Sequence, residues 1–257
     1  MSLPIPAALQ PVLGSKYPHR PRLMFILRKR PEVSHEAFAQ SLAAWRRQWG
    51  FGVEFGSIIA RAGAAMLAEQ EQINSRFGAG GLVVQPYDGY ASLDLECYAP
   101  AQADFARLFD IAKGCLDTLD AVIDKAGTIA LAGVSNLVIP GAAPLSMILV
   151  LDRPESLSLE EYNSWWVHHA DDHRRFNPAQ VGYYQMHIAT EFNEAAAQAA
   201  GVGTMTQCVI DFMCLGDLAD AFPKPGGRTE EEGRALSADI AKHVSFASVS
   251  GSFFKEV

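Results

Sequence analysis

Two segments of the chain repeat one another. Leu23-Met24-Phe25-Ile26-Leu27 leads through Arg30-Pro31-Glu32 and Ser34 to Phe38, and Leu145 to Leu151 leads through Arg153-Pro154-Glu155 and Ser158 to Tyr162. Each copy is an apolar strand pattern, an Arg-Pro-Glu tripeptide, a serine placed to cap a helix, an acidic first turn and an aromatic residue. The offset is 123 at the proline and 124 at the aromatic, so one inserted residue reconciles the copies. Two copies with so long a period do not make a solenoid, whose units recur every ~20–50 residues. They imply two related domains: an N-terminal arm at 1–21, a first repeat at 22–139, a linker at 140–144 and a second repeat at 145–257.

Composition narrows the partners. The chain has 257 residues and a formal charge of −8, which opposes a broad phosphate-binding surface; Arg28-Lys29-Arg30 and Arg46-Arg47 are too short to reverse that, so no nucleic acid is expected. Every long apolar stretch is broken by Gly, Pro or charge, so no membrane partner is expected either. The arm lacks a basic segment followed by an apolar one and reads as a strap, not a secretory signal. Cys97, Cys115, Cys208 and Cys214 have neither CxxC spacing nor the density of a disulfide scaffold, which points to reduced thiols in a cytoplasmic protein.

The second copy predicts the order β-α-β-β-α-β. A strand over 145–151 is followed by a helix over 159–175, opened by the Ser158/Glu161 capping box and ended at Asn177-Pro178. Strands follow at 181–188, 206–214 and 246–254, with a short helix at 191–200 stopped by Gly201 and a second main helix at 229–243. The first copy has strands at 23–27, 90–97 and 130–139 and helices at 35–49 and within 101–126. Its second strand falls at 53–59 or at 82–85. Asp94 in Leu-Asp-Leu and Asp211 in Ile-Asp-Phe take equivalent positions in this alignment. The fold class is therefore α+β: two tandem ferredoxin-like βαββαβ domains, each with one sheet face uncovered, whose antiparallel sheets pack face to face as an intrachain α+β barrel with a cavity between them.

The strand Met147 to Leu151, Arg153-Pro154, the helix pattern Tyr162-x-x-Trp165-x-x-x-His169-Ala170 and the strand Tyr183-Tyr184-Gln185-Met186-His187 resemble the EthD family, within the dimeric α+β barrel superfamily. Family members form the barrel by dimerising, so the resemblance implies that this chain holds both halves. In the first copy Phe38 is followed by Ser41 and Trp45 where the second has Trp165 and His169, which implies one site per chain.

Trp165, His169 and either Asp172 or His173 share a helix face. An imidazole among carboxylates suits acid-base work, although packing beneath Trp165 would also explain His169. His169 and His173 at i, i+4 make only half a metal site, so no metal is expected. On the strand, Tyr183, Gln185 and His187 alternate with Tyr184, Met186 and Ile188. Placing the apolar set against the helices turns Tyr183, Gln185 and His187 toward the lumen, joined by Asp211 and Met213, with Asp94 and Glu96 facing the same cavity from the first copy. The catalytic candidates are His169, His187, Tyr183 and Asp211; the substrate-binding candidates are Trp165, Gln185, Met213, Asp94 and Glu96.

Three functions fit. The first is an enzyme without a cofactor, acting by acid-base chemistry on a small aromatic or polyketide-like molecule; the resemblance admits lyases, isomerases, cyclases and oxygenases. The second is a protein that binds such a molecule without converting it. The third is a haem-binding barrel with His169, His187 or His243 as axial ligand. The partner is in each case a small, largely apolar ligand, and a homodimer is compatible with all three.

Overall fold

Local signals start and stop the helices where the side chains can satisfy the backbone. Ser158 and Glu161 form a reciprocal box, with Glu161 N–H donating to Ser158 Oγ at 3.2 Å and Ser158 N–H to Glu161 Oε2 at 2.8 Å. Thr229 and Glu232 repeat it, and in the first half Ala37 N–H donates to Ser34 Oγ at 3.1 Å. Gly201 takes φ 69°, the left-handed geometry that ends a helix cheaply only at glycine.

The computed structural model describes residues 3–50, 58–69, 73, 75, 83–84, 87–97, 99–176, 180–205, 208–221, 229–244 and 249–257. Within them lie five helices longer than ten residues: α1 His35–Gly50, α2 Gln102–Ala112, α3 Leu159–Phe176, α4 Thr190–Ala200 and α5 Glu230–His243. Eight long strands are β1 His19–Leu27, β2 Ile58–Ala65, β3 Gly89–Leu95, β4 Ile129–Ile139, β5 Leu145–Asp152, β6 Gly182–Ile188, β7 Cys208–Leu215 and β8 Ser250–Glu256. No described helix is long and apolar enough to cross a membrane.

The strands pair antiparallel in the cyclic order β1-β3-β2-β8-β5-β7-β6-β4 and back to β1. The order is β4-β1-β3-β2 in the first half and β8-β5-β7-β6 in the second, the same path twice. Two seams join the halves: β2 to β8 at Gly63↔Glu256 through Ala65↔Phe254, and β4 to β6 at Gly133↔Ile188 through Ile139↔Tyr183. The two facing sheets expected from sequence are thus one continuous wall, because edge-to-edge pairing removes every long free edge.

Several boundaries differ from expectation. The second helix of the first half takes up Gln102–Ala112 of the expected 101–126 segment, and a 3-10 turn at Asp117–Leu119 follows the helix-weakening Gly114. The second strand runs Ile58–Ala65; residues 53–57, 82 and 85 lie outside the described residues, and Val83–Val84 pairs in parallel with β8. Its run of Ala and Gly carries little strand propensity, and the small side chains make room for Tyr90. The helix end at Asn177-Pro178 and the start of the last strand at 246–248 also lie outside the described residues.

All eight strands contribute to one buried cluster that includes Met24, Ile26, Ala65, Tyr90, Leu131, Ile148, Tyr184, Met186, Ile188, Ile210, Phe212 and Phe254. Only the interior of a closed barrel touches every strand, so this cluster is the lumen. A second cluster packs Leu23, Phe25, Leu27, Leu93, Ala132 and Val134 beneath Phe38, Leu42, Phe105, Leu108 and Phe192 of the outer helices. The expected facing of β6 is therefore reversed. Tyr184, Met186 and Ile188 line the lumen, and Tyr183, Gln185 and His187 lie under α3.

Candidate functional site

The layer between helices and sheet differs between the halves. In the first half it is filled by aliphatic and aromatic side chains, and Trp45, 1% exposed, donates its indole N–H to the Cys115 carbonyl at 2.5 Å. In the second half the same layer, between α3 and strands β6 and β7, buries Asn163, His169, Gln185, His187 and Asp211. Burying polar groups costs free energy unless each is paired, so a layer that keeps five of them is a candidate site.

Helical spacing sets α3's share. Tyr162, Asn163, Trp166, His169 and Ala170 recur on the face turned to the sheet and are all buried. The His169 ring stacks on Trp166 at 4.8 Å and lies 5.2 Å from Trp165. Trp165 in turn donates to Asp239 Oδ2 at 2.8 Å and stacks on His243 at 4.3 Å, which fastens α5 over the layer.

Strand and helix then run past each other. Tyr183 stacks on His173 at 3.6 Å, and His187 Nδ1 meets Asn163 Oδ1 at 3.1 Å. Gln185 lies between Tyr183 and His187 on the same face of β6 and is fully buried. Gln185 Nε2 donates to the Tyr183 hydroxyl at 3.1 Å, and that hydroxyl donates to Asp211 Oδ1 at 2.8 Å. Asn163 Nδ2 donates to the carbonyls of Ala8 and Ile188, so its Oδ1 is the acceptor and His187 carries its proton on Nδ1. Four buried polar atoms of this layer have no hydrogen-bond partner: His169 Nδ1, Gln185 Oε1, His187 Nε2 and Trp166 Nε1.

Desolvation sets the protonation states. Burial lowers His187 to about 3 and, against the hydrogen bond that His173 Nε2 donates to Gln180 Oε1, His173 to about 4. Burial also lowers His169, outweighing the carboxylates of Asp172 and Asp239. Asp211 is pushed up to about 8 by burial, against the Tyr183 hydrogen bond, so near neutral pH it is a carboxylic acid. The layer thus holds three neutral imidazoles and a neutral acid.

The structure brings His169, His187, Tyr183, Asp211, Trp165 and Gln185 together, with Met213 packed beside Tyr183. It does so on the helix side of the wall, not in the lumen. The reason is that both faces of a closed barrel are buried, so the apolar alternate of β6 fills the inside. Asp94 and Glu96 do not join them. Asp94 faces the lumen, where Arg22 Nε and Nη2 bind it at 2.5 and 2.7 Å. Glu96 is exposed and pairs with Arg20 at 3.3 Å. The expected equivalence of Asp94 and Asp211 fails for the same reason: the flanking Leu93 and Leu95 face helices, whereas Ile210 and Phe212 face the lumen. Trp166, Asn163 and Asp239 were missed; for the first two, the spacing 162, 163, 166, 169, 170 was the available signal. Among the described residues no group of three or more His, Cys, Asp or Glu side chains is arranged to hold a metal ion.

No family model and no curated protein sequence matches the chain. Solved structures do match. A "putative monooxygenase" from Lactobacillus acidophilus NCFM superposes with a TM-score of 0.52 at 6% identity, over 93% of each chain. Another so described, from Fusobacterium nucleatum, gives 0.52 at 6% identity over 94% of this chain and 93% of its own. A mutant chlorite dismutase from Candidatus Nitrospira defluvii gives 0.45 at 9% identity over 96% and 95%, too low a score to argue from. At these identities the likeness is one of fold alone: this chain has a closed, eight-stranded antiparallel barrel with outer helices.

Proposed function

We propose that the chain is an EthD-like tandem protein, with ferredoxin-like repeats at 22–139 and 145–257, acting without a cofactor on a small aromatic or polyketide-like molecule between α3 and the second half's sheet. The observation that carries this reading is the set of unpartnered buried atoms His169 Nδ1, Gln185 Oε1, His187 Nε2 and Trp166 Nε1 in one aromatic-walled layer. A planar ligand with hydroxyl and carbonyl groups would satisfy them, whereas the protein alone leaves each at a cost of about 1–3 kcal/mol. In this reading Trp165 and Trp166 form the wall, and Gln185 and His187 accept from ligand hydroxyls. His169 takes a proton from an acidic C–H or phenol. The Tyr183 hydroxyl, turned from Asp211 to the product, returns one and is reprotonated by the Asp211 carboxyl, so the proton count is unchanged, as in an isomerisation, cyclisation or elimination.

Native mass spectrometry of protein purified from its own host should show a retained small molecule. His169→Ala and Tyr183→Phe should each slow its conversion by about 10²–10⁴-fold. Unchanged turnover in both would overturn the reading. A second reading, binding without conversion, is favoured by the depressed His187 and His173, which are weak bases; unaltered ligand after prolonged incubation would decide for it.

Haem is the remaining candidate ligand. His169 offers a neutral nitrogen donor. The ring, however, would have to part the Tyr183–His173 and His187–Asn163 contacts that close the layer on either side. The site as packed does not fit it, and haem titration should give no Soret band.

A further inference from the structure

The barrel interior holds a second polar constellation, across the wall from the site above and independent of it. Arg22 of β1 is fully buried, and its Nε and Nη2 are taken by Asp94, but its Nη1 has no partner. Arg61 of β2 donates through Nη2 to the Tyr184 hydroxyl at 3.0 Å and the Gly141 carbonyl at 3.4 Å, while its buried Nε has no partner. Both guanidinium groups lie against the Tyr184 ring, at 5.4 and 5.0 Å from its centroid. Ser92, paired in register with Arg61, and Ser135, next to the β1–β4 pairing of Arg22, each bury a hydroxyl without a partner.

Charge decides what these donors would take. Arg22 is neutralised by Asp94, but among the described residues no carboxylate is within ion-pair range of Arg61. The other acid here, Glu256, accepts from Tyr90 and, at 2.7 Å, from Ser146, and burial favours its neutral form. That leaves Arg61 with no carboxylate in ion-pair range and four unsatisfied donor groups in the lumen, a combination that an anion would satisfy. A flat carboxylate also matches the fork geometry of a guanidinium.

We propose that the lumen end formed by Arg22, Arg61, Ser92, Ser135 and Tyr184 binds a small monocarboxylate. Arg61 and the free Nη1 of Arg22 clasp its oxygens, and the two serines fill the remaining acceptor sites. Arg61 is only partly buried, so in this proposal the carboxylate enters at its end of the barrel.

Isothermal titration of the full chain at constant ionic strength, with acetate, benzoate and inorganic phosphate as probes, tests the site. Saturable one-to-one binding of at least one carboxylate, tighter than phosphate, is expected. Arg61→Gln should weaken it at least tenfold and Ser92→Ala at least threefold, with His169→Ala unchanged. If Arg61→Gln does not fold by circular dichroism, Arg61→Lys, which keeps the charge but loses the fork, replaces it with the same expectation. No saturable carboxylate binding, phosphate binding more tightly, full affinity in the Arg61 variant, or loss of binding in His169→Ala would each overturn the proposal. The last two would remove the lumen site while leaving the α3 site standing.

Discussion

Trp45 and His169 each lie seven residues beyond the aromatic that opens their helix, Phe38 in α1 and Tyr162 in α3, yet they do opposite work. Trp45 is sealed among apolar side chains with its one donor satisfied, so it holds the first half together. His169 is 7% exposed and keeps Nδ1 free against two indoles. Trp45→Ala should therefore lose about 3–5 kcal/mol in chemical denaturation, the cost of an emptied aromatic site. His169→Ala should cost clearly less stability, because it removes an unpaired polar atom along with its packing. Equal losses from the two would show that His169 is a core residue like its counterpart. The aromatic-to-histidine spacing was legible in the sequence. That Trp45 cannot stand in for His169 was not, since an indole at that position could have been wall or core until its neighbours were known.

At the level of elements, α5 is the weakest member of the site. None of its residues is buried, and Trp165 ties it to α3 through Asp239 and His243. Helices with little buried surface open with low free energy, so α5 amides should exchange with deuterium faster than those of α3. Asp239→Ala should widen that gap several-fold, and an unchanged exchange pattern would show that α5 is held by something else. The β4–β6 seam behaves oppositely. A Cβ on Gly133 would meet the His187 carbonyl oxygen at 1.9 Å, backbone that cannot step aside. Gly133→Ala should lower stability by about 1–3 kcal/mol or more and disturb the adjoining His187; thermal unfolding reads the first effect and the His187 ring NMR signals the second. The capping boxes and the Gly201 stop were readable because they are local. The seam was not, because it joins residues 44 to 55 positions apart.

For the whole molecule, the buried layer makes stability depend on pH in both directions. His187 and His173 have folded pKa values depressed to about 3 and about 4, so their contribution is complete above the ordinary value of 6.5 and is lost as pH falls through the folded values. Asp211 is raised from 3.8 to about 8, so its contribution is present in full below 3.8 and is lost as pH rises through 8. Below 6.5 the two histidines outweigh the one acid, and stability should peak near pH 6.5. Asp211→Asn keeps an acceptor for Tyr183 and removes the titration. It should abolish a decline on the order of a few kcal/mol between pH 6.5 and 8 while leaving the acid limb, as followed by urea midpoints. An alkaline limb that persists in this variant would place the proton elsewhere. The echo of 23–38 at 145–162, the strand patterns and the polar triplet Tyr183, Gln185 and His187 were all written in the amino-acid order itself, because periodicity and capping act within a few residues. Which way the triplet points was decided only when the wall closed. In an open sheet the apolar alternate meets the helices, but a barrel buries both faces, and closure is set by hydrogen bonds between strands distant in the chain. The same closure brought Arg22 and Arg61 together inside, although neither had any local pattern to mark it.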